Sequence, residues 1–295
     1  MSHPVHIVDV FAEHRFGGNQ LAVVLDADDL TPESMQQIAL ETNFSETTFV
    51  TGGAAADGGY PVRIFTPGQE LPFAGHPTLG TAWVLREHRE SDRPSMVRLN
   101  LGVGQVPVEF EPEPDGRDLL WLLAPPIELG PECRGPDMAV ALGIEPDDLD
   151  RRGPVQQVSA GIVVVIVPVR TRAALERCRL DLARYAPLRE RGFQPFVYVF
   201  CDEPAASEND LAARFFFEAN GVREDPATGS ATACLGRYLL AHRYLDRREC
   251  SVRIEQGTAV GRPSLLMLDA RQDAGSQPHI RVGGHVVPVI DGRLV

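Results

Sequence analysis

Apolar residues along the chain fall mostly in short β-branched runs bounded by glycine and proline, the spacing of strands rather than of long helices. In the first half such runs cover residues 6–11, 21–25, 47–50, 62–66, 97–101, 106–110 and 119–122. In the second they cover 155–159, 162–169, 196–201, 213–217, 251–255, 264–268, 279–282 and 285–290. Gly283-Gly284, between the last two runs, predicts a two-residue hairpin. Few helices interrupt this pattern. Thr31-Pro32-Glu33 combines an N-cap, a first-turn proline and an acidic first turn, and predicts a helix to about residue 41. Others are predicted from Pro77 to about residue 89, from 172 to 178, and from Ser230 to about residue 242. A sheet-dominated α+β protein follows.

The order of elements repeats. At an offset of 151, Arg63-Ile-Phe-Thr-Pro-Gly meets Arg214-Phe-Phe-Phe-Glu-Ala, and Gly80-Thr-Ala-Trp-Val-Leu meets Ala231-Thr-Ala-Cys-Leu-Gly. Each half reads as strand, polar Gly/Pro-rich loop, then apolar helix. Identities are few, so the shared order carries the inference of a pseudo-duplicated, two-lobed protein, for which a site between the lobes is the expectation. The proline-rich, acidic stretch 111–136 reads as the connection between halves.

Composition narrows the chemistry. At 295 residues, one large or two smaller domains are expected. The formal net charge of −13 disfavours nucleic acid and anionic membrane as partners. All 28 basic residues are arginine. Without lysine there is no Schiff base and no P-loop cation. No stretch reads as a signal peptide or a membrane span. Five cysteines without CxxC spacing read as reduced thiols of a cytoplasmic protein, with neither disulfides nor structural zinc.

Three places remain where chemistry can reside. The loop from Thr66 to Gly80 runs into the helix near Pro77, setting His76 at a helix N-terminus beside the Gly75 N–H; His76 reads either as a polar N-cap or as a functional imidazole beside a bound anion. In the second half, Thr228, Gly229 and Ser230 open an apolar helix with small residues that let a ligand approach backbone donors, and Asp225 either caps that helix or acts on the ligand. Glu46, between a helix and a strand, reads as an exposed strand-edge glutamate or as a general base. There is no G-x-S-x-G, H-E-x-x-H, P-loop or dinucleotide fingerprint, and the histidines show no metal-ligand spacing. What remains is acid/base chemistry by carboxylate and imidazole, with no metal and no cofactor.

Gly17-Gly18-Asn19-Gln20-Leu21-Ala22-Val23-Val24, Asn43-Phe-Ser-Glu-Thr-Thr-Phe-Val, Arg63-Ile-Phe-Thr-Pro through Phe73-Ala-Gly-His-Pro-Thr-Leu-Gly, Glu224-Asp-Pro-Ala-Thr-Gly-Ser-Ala, and Glu255-Gln-Gly with Gly261-Arg-Pro-Ser resemble the PhzF family of phenazine-biosynthesis-like isomerases. The resemblance spans nearly the whole chain. It implies the diaminopimelate epimerase-like fold: two pseudo-symmetric lobes, each a sheet wrapped around a central helix, with the active site between them. The N-terminal lobe is expected over residues 1–118, joined by a strand from about residue 280 to 295, and the C-terminal lobe over 119–279. A homodimer is also implied. The paired catalytic cysteines of diaminopimelate epimerase are absent, since Ala74-Gly75 and Asp225-Pro226 occupy those neighbourhoods. The family's glutamate, histidine and aspartate fall on Glu46, His76 and Asp225. The implied function is a cofactor-independent isomerase that moves a proton between carbons of a small carboxylated substrate resembling trans-2,3-dihydro-3-hydroxyanthranilate. Backbone donors of Gly75, Gly229 and Ser230, with Thr228, would hold the carboxylate or the developing charge. An epimerase or racemase on the same fold, and a non-catalytic small-molecule binder, are the rival readings.

Overall fold

The apolar runs become strands whose buried positions face a helix on one side and, where a second layer exists, more helices on the other. The computed structural model describes residues 2–217, 224–246, 249–272 and 275–295. Two units form: one holds the chain up to Leu122 together with Gly283–Val295, and the other is Leu123–Val282.

The first unit runs β1 (His3–Val10), β2 (Asn19–Val24), α1 (Pro32–Thr42), β3 (Glu46–Val50), β4 (Gly59–Phe65), β5 (Glu70–Leu71), α2 (Gly75–His88), β6 (Met96–Leu101), β7 (Gly104–Pro112) and β8 (Asp118–Leu123). The second runs β9 (Glu128–Cys133), α3 (Gly135–Leu142), β10 (Val155–Ala160), β11 (Ile162–Pro168), α4 (Arg172–Arg177), α5 (Leu182–Glu190), β12 (Phe196–Cys201), β13 (Leu211–Phe217), β14 (Glu224–Asp225), α6 (Gly229–His242), β15 (Glu249–Gln256), β16 (Ser264–Arg271) and β17 (His279–Gly284). The chain then returns to the first unit as β18 (Val286–Leu294), antiparallel to β1.

The sheets have the same construction. In the first, β1–β2 is antiparallel, β2–β3 parallel, β3–β4 and β4–β5 antiparallel, β4–β6 parallel and β6–β7 antiparallel. In the second, β10–β11, β11–β12, β12–β13, β13–β14, β13–β15 and β15–β16 repeat those orientations in the same order. Each sheet packs around a 14-residue helix, α2 or α6, whose side chains are buried nearly all round. Gly80 lets α2 lie against β1 and β2, since a Cβ there would come within 2.6 Å of Leu21 and 2.8 Å of Val10. On the outer faces, α1 covers Val24, Phe49 and Phe65 with Met35 and Ala39. Met138, Leu142, Leu175, Tyr185 and Leu188 of α3–α5 cover β11 and β12. Val164–Val167 of β11 is accordingly buried at every position, the pattern of a strand covered on both faces.

One ion pair marks the duplication. Arg63 grips Glu70 through two 2.7 Å hydrogen bonds and lies over Phe65. Arg214 grips Glu224 at 3.0 and 2.7 Å and lies over Phe216. In register, Ile64 faces Leu71 as Phe215 faces Asp225. The offset of 151 therefore holds through the strand and becomes 154 from β5 and β14 onward, so that Gly75 matches Gly229 rather than residue 226. The additional three residues fall between Arg214 and Glu224, where 218–223, including the Glu218-Ala219 part of the expected match, lie outside the described residues.

The structure departs from other expectations. Gly283-Gly284 does not make a two-residue hairpin: only His285 separates β17 from β18, and β18 pairs along β1. Gly283 serves close packing instead, because a Cβ there would lie 2.5 Å from the Leu120 carbonyl oxygen. Stretch 111–136 is not simply a connection, since β8 and β9 form within it. Helices α3 and α5 were not expected; α3 has only eight residues and no side-chain cap, and α5 contains Pro187. Helix α2 starts two residues before Pro77, a position tolerated because first-turn N–H groups have no intrahelical acceptor. All five cysteines are buried and none is in a disulfide. No helix among the described residues is long and apolar enough to cross a membrane.

The return of the chain is fastened at His285. Its carbonyl accepts the Phe11 N–H at 2.8 Å, and its buried ring sits between Glu13 Oε1 and Glu113 Oε2, each at 2.7 Å. Burial alone would push the His285 pKa down, but the two carboxylates outweigh it and the pKa is raised; the same contact holds Glu13 down at about 2. A raised histidine pKa contributes stability that is complete below the unfolded value of about 6.5 and is lost as pH rises through the folded value. Glu13 contributes stability above its unfolded value of 4.5, lost as pH falls toward about 2. The melting midpoint of His285→Gln should thus lie below that of the parent most strongly near pH 5–6, with the gap narrowing toward pH 9; a gap independent of pH refutes the charged clamp.

Candidate active site

In the first unit the site begins with a backbone constraint. The Asp9 carboxylate accepts the Phe16 N–H at 2.7 Å, and Gly18 has φ of +64° with its Cα so near β1 that a Cβ would meet the Val10 carbonyl oxygen at 2.4 Å. Only glycine satisfies both demands. This turn delivers Asn19, 2% exposed, to the start of β2. Because β2 and β3 run parallel with Leu21 opposite Glu46, Asn19 lies on β2 two residues ahead of the position that faces Glu46. Glu46 emerges there after Asn43, whose left-handed conformation ends α1.

His76 is the second residue of α2 and meets both. Its Nδ1 is 3.4 Å from Asn19 Nδ2, and its Nε2 is 3.4 Å from Glu46 Oε2. The Ser45 hydroxyl reaches Asn19 Oδ1 at 3.5 Å. Burial pushes the His76 pKa down to about 3, against the opposing pull of a backbone hydrogen bond with Gln20. The imidazole is therefore neutral at physiological pH, and the Glu46–His76 contact joins a carboxylate to an uncharged ring rather than forming an ion pair. Ala74 provides no side-chain cap, so the first-turn N–H groups at Gly75 are left to other acceptors.

In the second unit Asp225, Thr228, Gly229 and Ser230 come together at the start of α6. The Thr228 hydroxyl, at the N-cap position, donates to Asp225 Oδ2 and does not cap the helix. Gln256, 1% exposed, donates through Nε2 to the Asp225 carbonyl at 2.9 Å and to Thr228 Oγ1 at 3.3 Å. Gly257 has φ of +81° and stands so close to this loop that a Cβ would lie 2.5 Å from the Pro226 carbonyl oxygen. Asn19 and Gln256 were not among the expected site residues. Both lie inside motifs the sequence displays, Gly17-Gly18-Asn19-Gln20 and Glu255-Gln256-Gly257, but an amide has no charge to single it out.

Residues 8–292 match the family described as phenazine biosynthesis-like protein. The chain belongs to the PhzF family. An uncharacterized isomerase of Mesorhizobium japonicum is 35% identical over 298 residues, which cover 98% of this chain and 97% of that one. The trans-2,3-dihydro-3-hydroxyanthranilate isomerase of Pseudomonas aeruginosa is 33% identical over 303 residues, 99% of each chain. The crystal structure of a PhzF-family phenazine biosynthesis protein of Bacillus anthracis aligns over 100% of this chain and 99% of that one, with a TM-score of 0.90 and 27% identity. The protein is an isomerase.

In this PhzF-family isomerase the two repeats have diverged where chemistry is placed. Thr47 registers with Phe65 as Val197 registers with Phe216, which makes Glu46 the counterpart of Phe196. By the same ladders Asn19 matches Ile162, and the helix starts pair His76 with Ser230 and Ala74 with Thr228. The buried imidazole beside a carboxylate thus belongs to the first repeat, and the Asp225–Thr228–Gln256 network to the second.

Proposed function

We propose that the protein is a cofactor-independent isomerase that moves a proton between carbons of a small, carboxylated, cyclic substrate resembling trans-2,3-dihydro-3-hydroxyanthranilate. Glu46 takes the proton from one carbon and returns it to another on the same face. His76, neutral and held by Asn19, orients the carboxylate and the reacting group. Asp225 and Thr228 orient the substrate, while N–H groups at Gly75, Gly229 and Ser230 hold its carboxylate and the charge that develops during transfer. The observation that carries this reading is the Glu46 carboxylate, 15% exposed, 3.4 Å from an imidazole that burial keeps uncharged. An uncharged ring leaves Glu46, rather than His76, as the group to take the substrate proton.

An epimerase of the two-base kind needs a second base facing the first. The repeat places Phe196 where Glu46 has its counterpart, and the cysteines are buried, which supports one base over two. A homodimeric, cytoplasmic enzyme completes the proposal. Incubation with trans-2,3-dihydro-3-hydroxyanthranilate and related cyclic carboxylates in deuterated water, followed by NMR, should reveal a shifted double bond. Deuterium wash-in with inversion at a single carbon would instead establish epimerisation, and binding without any exchange a non-catalytic role.

A further inference from the structure

His6, His88 and Asp291 meet on the first unit although no sequence spacing connects them. His6 lies on β1, His88 is the last residue of α2, and Asp291 lies on β18. His88 is 12 residues beyond His76 on α2, about 18 Å at 1.5 Å per residue, so this group stands apart from the candidate active site. His6 and Asp291 are direct partners in the β1–β18 ladder, with His6 Nδ1 2.7 Å from Asp291 Oδ1. The His88 ring stacks on His6, centroids 3.9 Å apart and planes inclined by 28°. One nitrogen of each ring and one Asp291 oxygen all lie within 4.8 Å of one another. His6 is buried while His88 and Asp291 are exposed, so the group is fixed on its inner side and open on its outer side.

We propose that His6, His88 and Asp291 form a binding site for a divalent transition-metal ion of the zinc or nickel class, which ties β18 to β1 and to the end of α2. Two imidazoles and one carboxylate suit borderline cations, whereas calcium and magnesium require oxygen-rich shells. Metal–donor bonds of about 2.0–2.1 Å place tetrahedral donors about 3.3 Å apart, so the group must close around the ion. Stacked rings direct their lone pairs along parallel planes. The exposed His88 therefore rotates off the stack on binding, and the ion takes the place of the hydrogen now shared by His6 Nδ1 and Asp291 Oδ1, so that both atoms become ligands. Solvent completes the shell. The neighbouring charges already have partners, Arg89 on Asp26 at 2.5 Å and Glu87 with Arg93 at 2.7 Å. The five thiols are buried and do not compete in the folded chain.

Untagged, chelator-stripped protein titrated calorimetrically with zinc chloride, and separately with nickel chloride, should bind one ion per chain. The same ion should raise the melting midpoint by a few degrees, since it binds the folded state. His88→Gln and Asp291→Asn replace exposed side chains, so the fold is retained, and each should weaken binding at least about tenfold and remove the midpoint shift. Cobalt loading of the parent should give visible absorption that His88→Gln lacks. Absence of stoichiometric binding, or binding and stabilisation unchanged in both variants, overturns the site; weak binding common to all three proteins identifies an adventitious ion only.

Discussion

Replacing Glu46 by glutamine should lower kcat for the proton shift by about 10²–10⁴-fold, the usual contribution of a positioned acid/base, with a much smaller change in KM. Glutamine keeps the shape and the contact with His76 but cannot accept a proton. The side chain is 15% exposed at the start of β3 and lies outside the apolar cores, so circular dichroism and the melting midpoint should match the parent. Steady-state kinetics and solvent-exchange NMR on the same preparations provide the measurement. Unchanged turnover would remove Glu46 as the base while leaving family and fold intact.

The second large effect lies in the repeated arginine pair, where one interaction occurs in two environments. Arg214 and Glu224 have side chains 7% and 9% exposed, and Arg214 also donates to the carbonyls of Leu175, Glu176 and Cys178. Arg63 and Glu70 are 30% and 44% exposed. Arg214→Met would strand a buried carboxylate and take one donor from each of three carbonyls, which keep the Cys178 N–H or Arg179 Nη1, and should cost about 3–5 kcal/mol. Arg63→Met, with solvent available to Glu70, should cost about 1 kcal/mol or less. Urea unfolding of both variants compares them in one molecule. Equal losses would show that the difference in burial does not govern the pair. Because Arg214 anchors the strand that carries Asp225, its loss should also raise KM, which Arg63→Met should not do.

How much of this was legible in the sequence depended on whether a signal was local. The capped start of α1 and the apolar run of β11 depend on neighbouring residues, and both form as expected. The duplication was visible through Arg63 and Arg214, but its shift from 151 to 154 was hidden, because three additional residues between matching segments leave both flanking patterns intact. The candidate acids and bases were recognisable by residue type. Their partners were not: Asn19 and Gln256 act through distances that only parallel strands and tight glycine turns create. The neutrality of His76 was equally invisible, since it arises from burial rather than from any neighbour in the chain. His6, His88 and Asp291 meet only because the last strand returns to the first.

That return also constrains how the protein is made. His3 pairs with Leu294, so the sheet of the first unit lacks one of its strands until residues 286–294 have been synthesised. At about 5–20 residues per second, the wait between the two strands is on the order of 15–60 s. The second unit is complete in sequence by Val282 and needs no such delay. The N-terminal half, although translated first, is therefore the last to close. Until β18 arrives, the open edge of β1 is exposed to any other strand that reaches it, and nascent-chain handling is where defects in this ladder would first be seen.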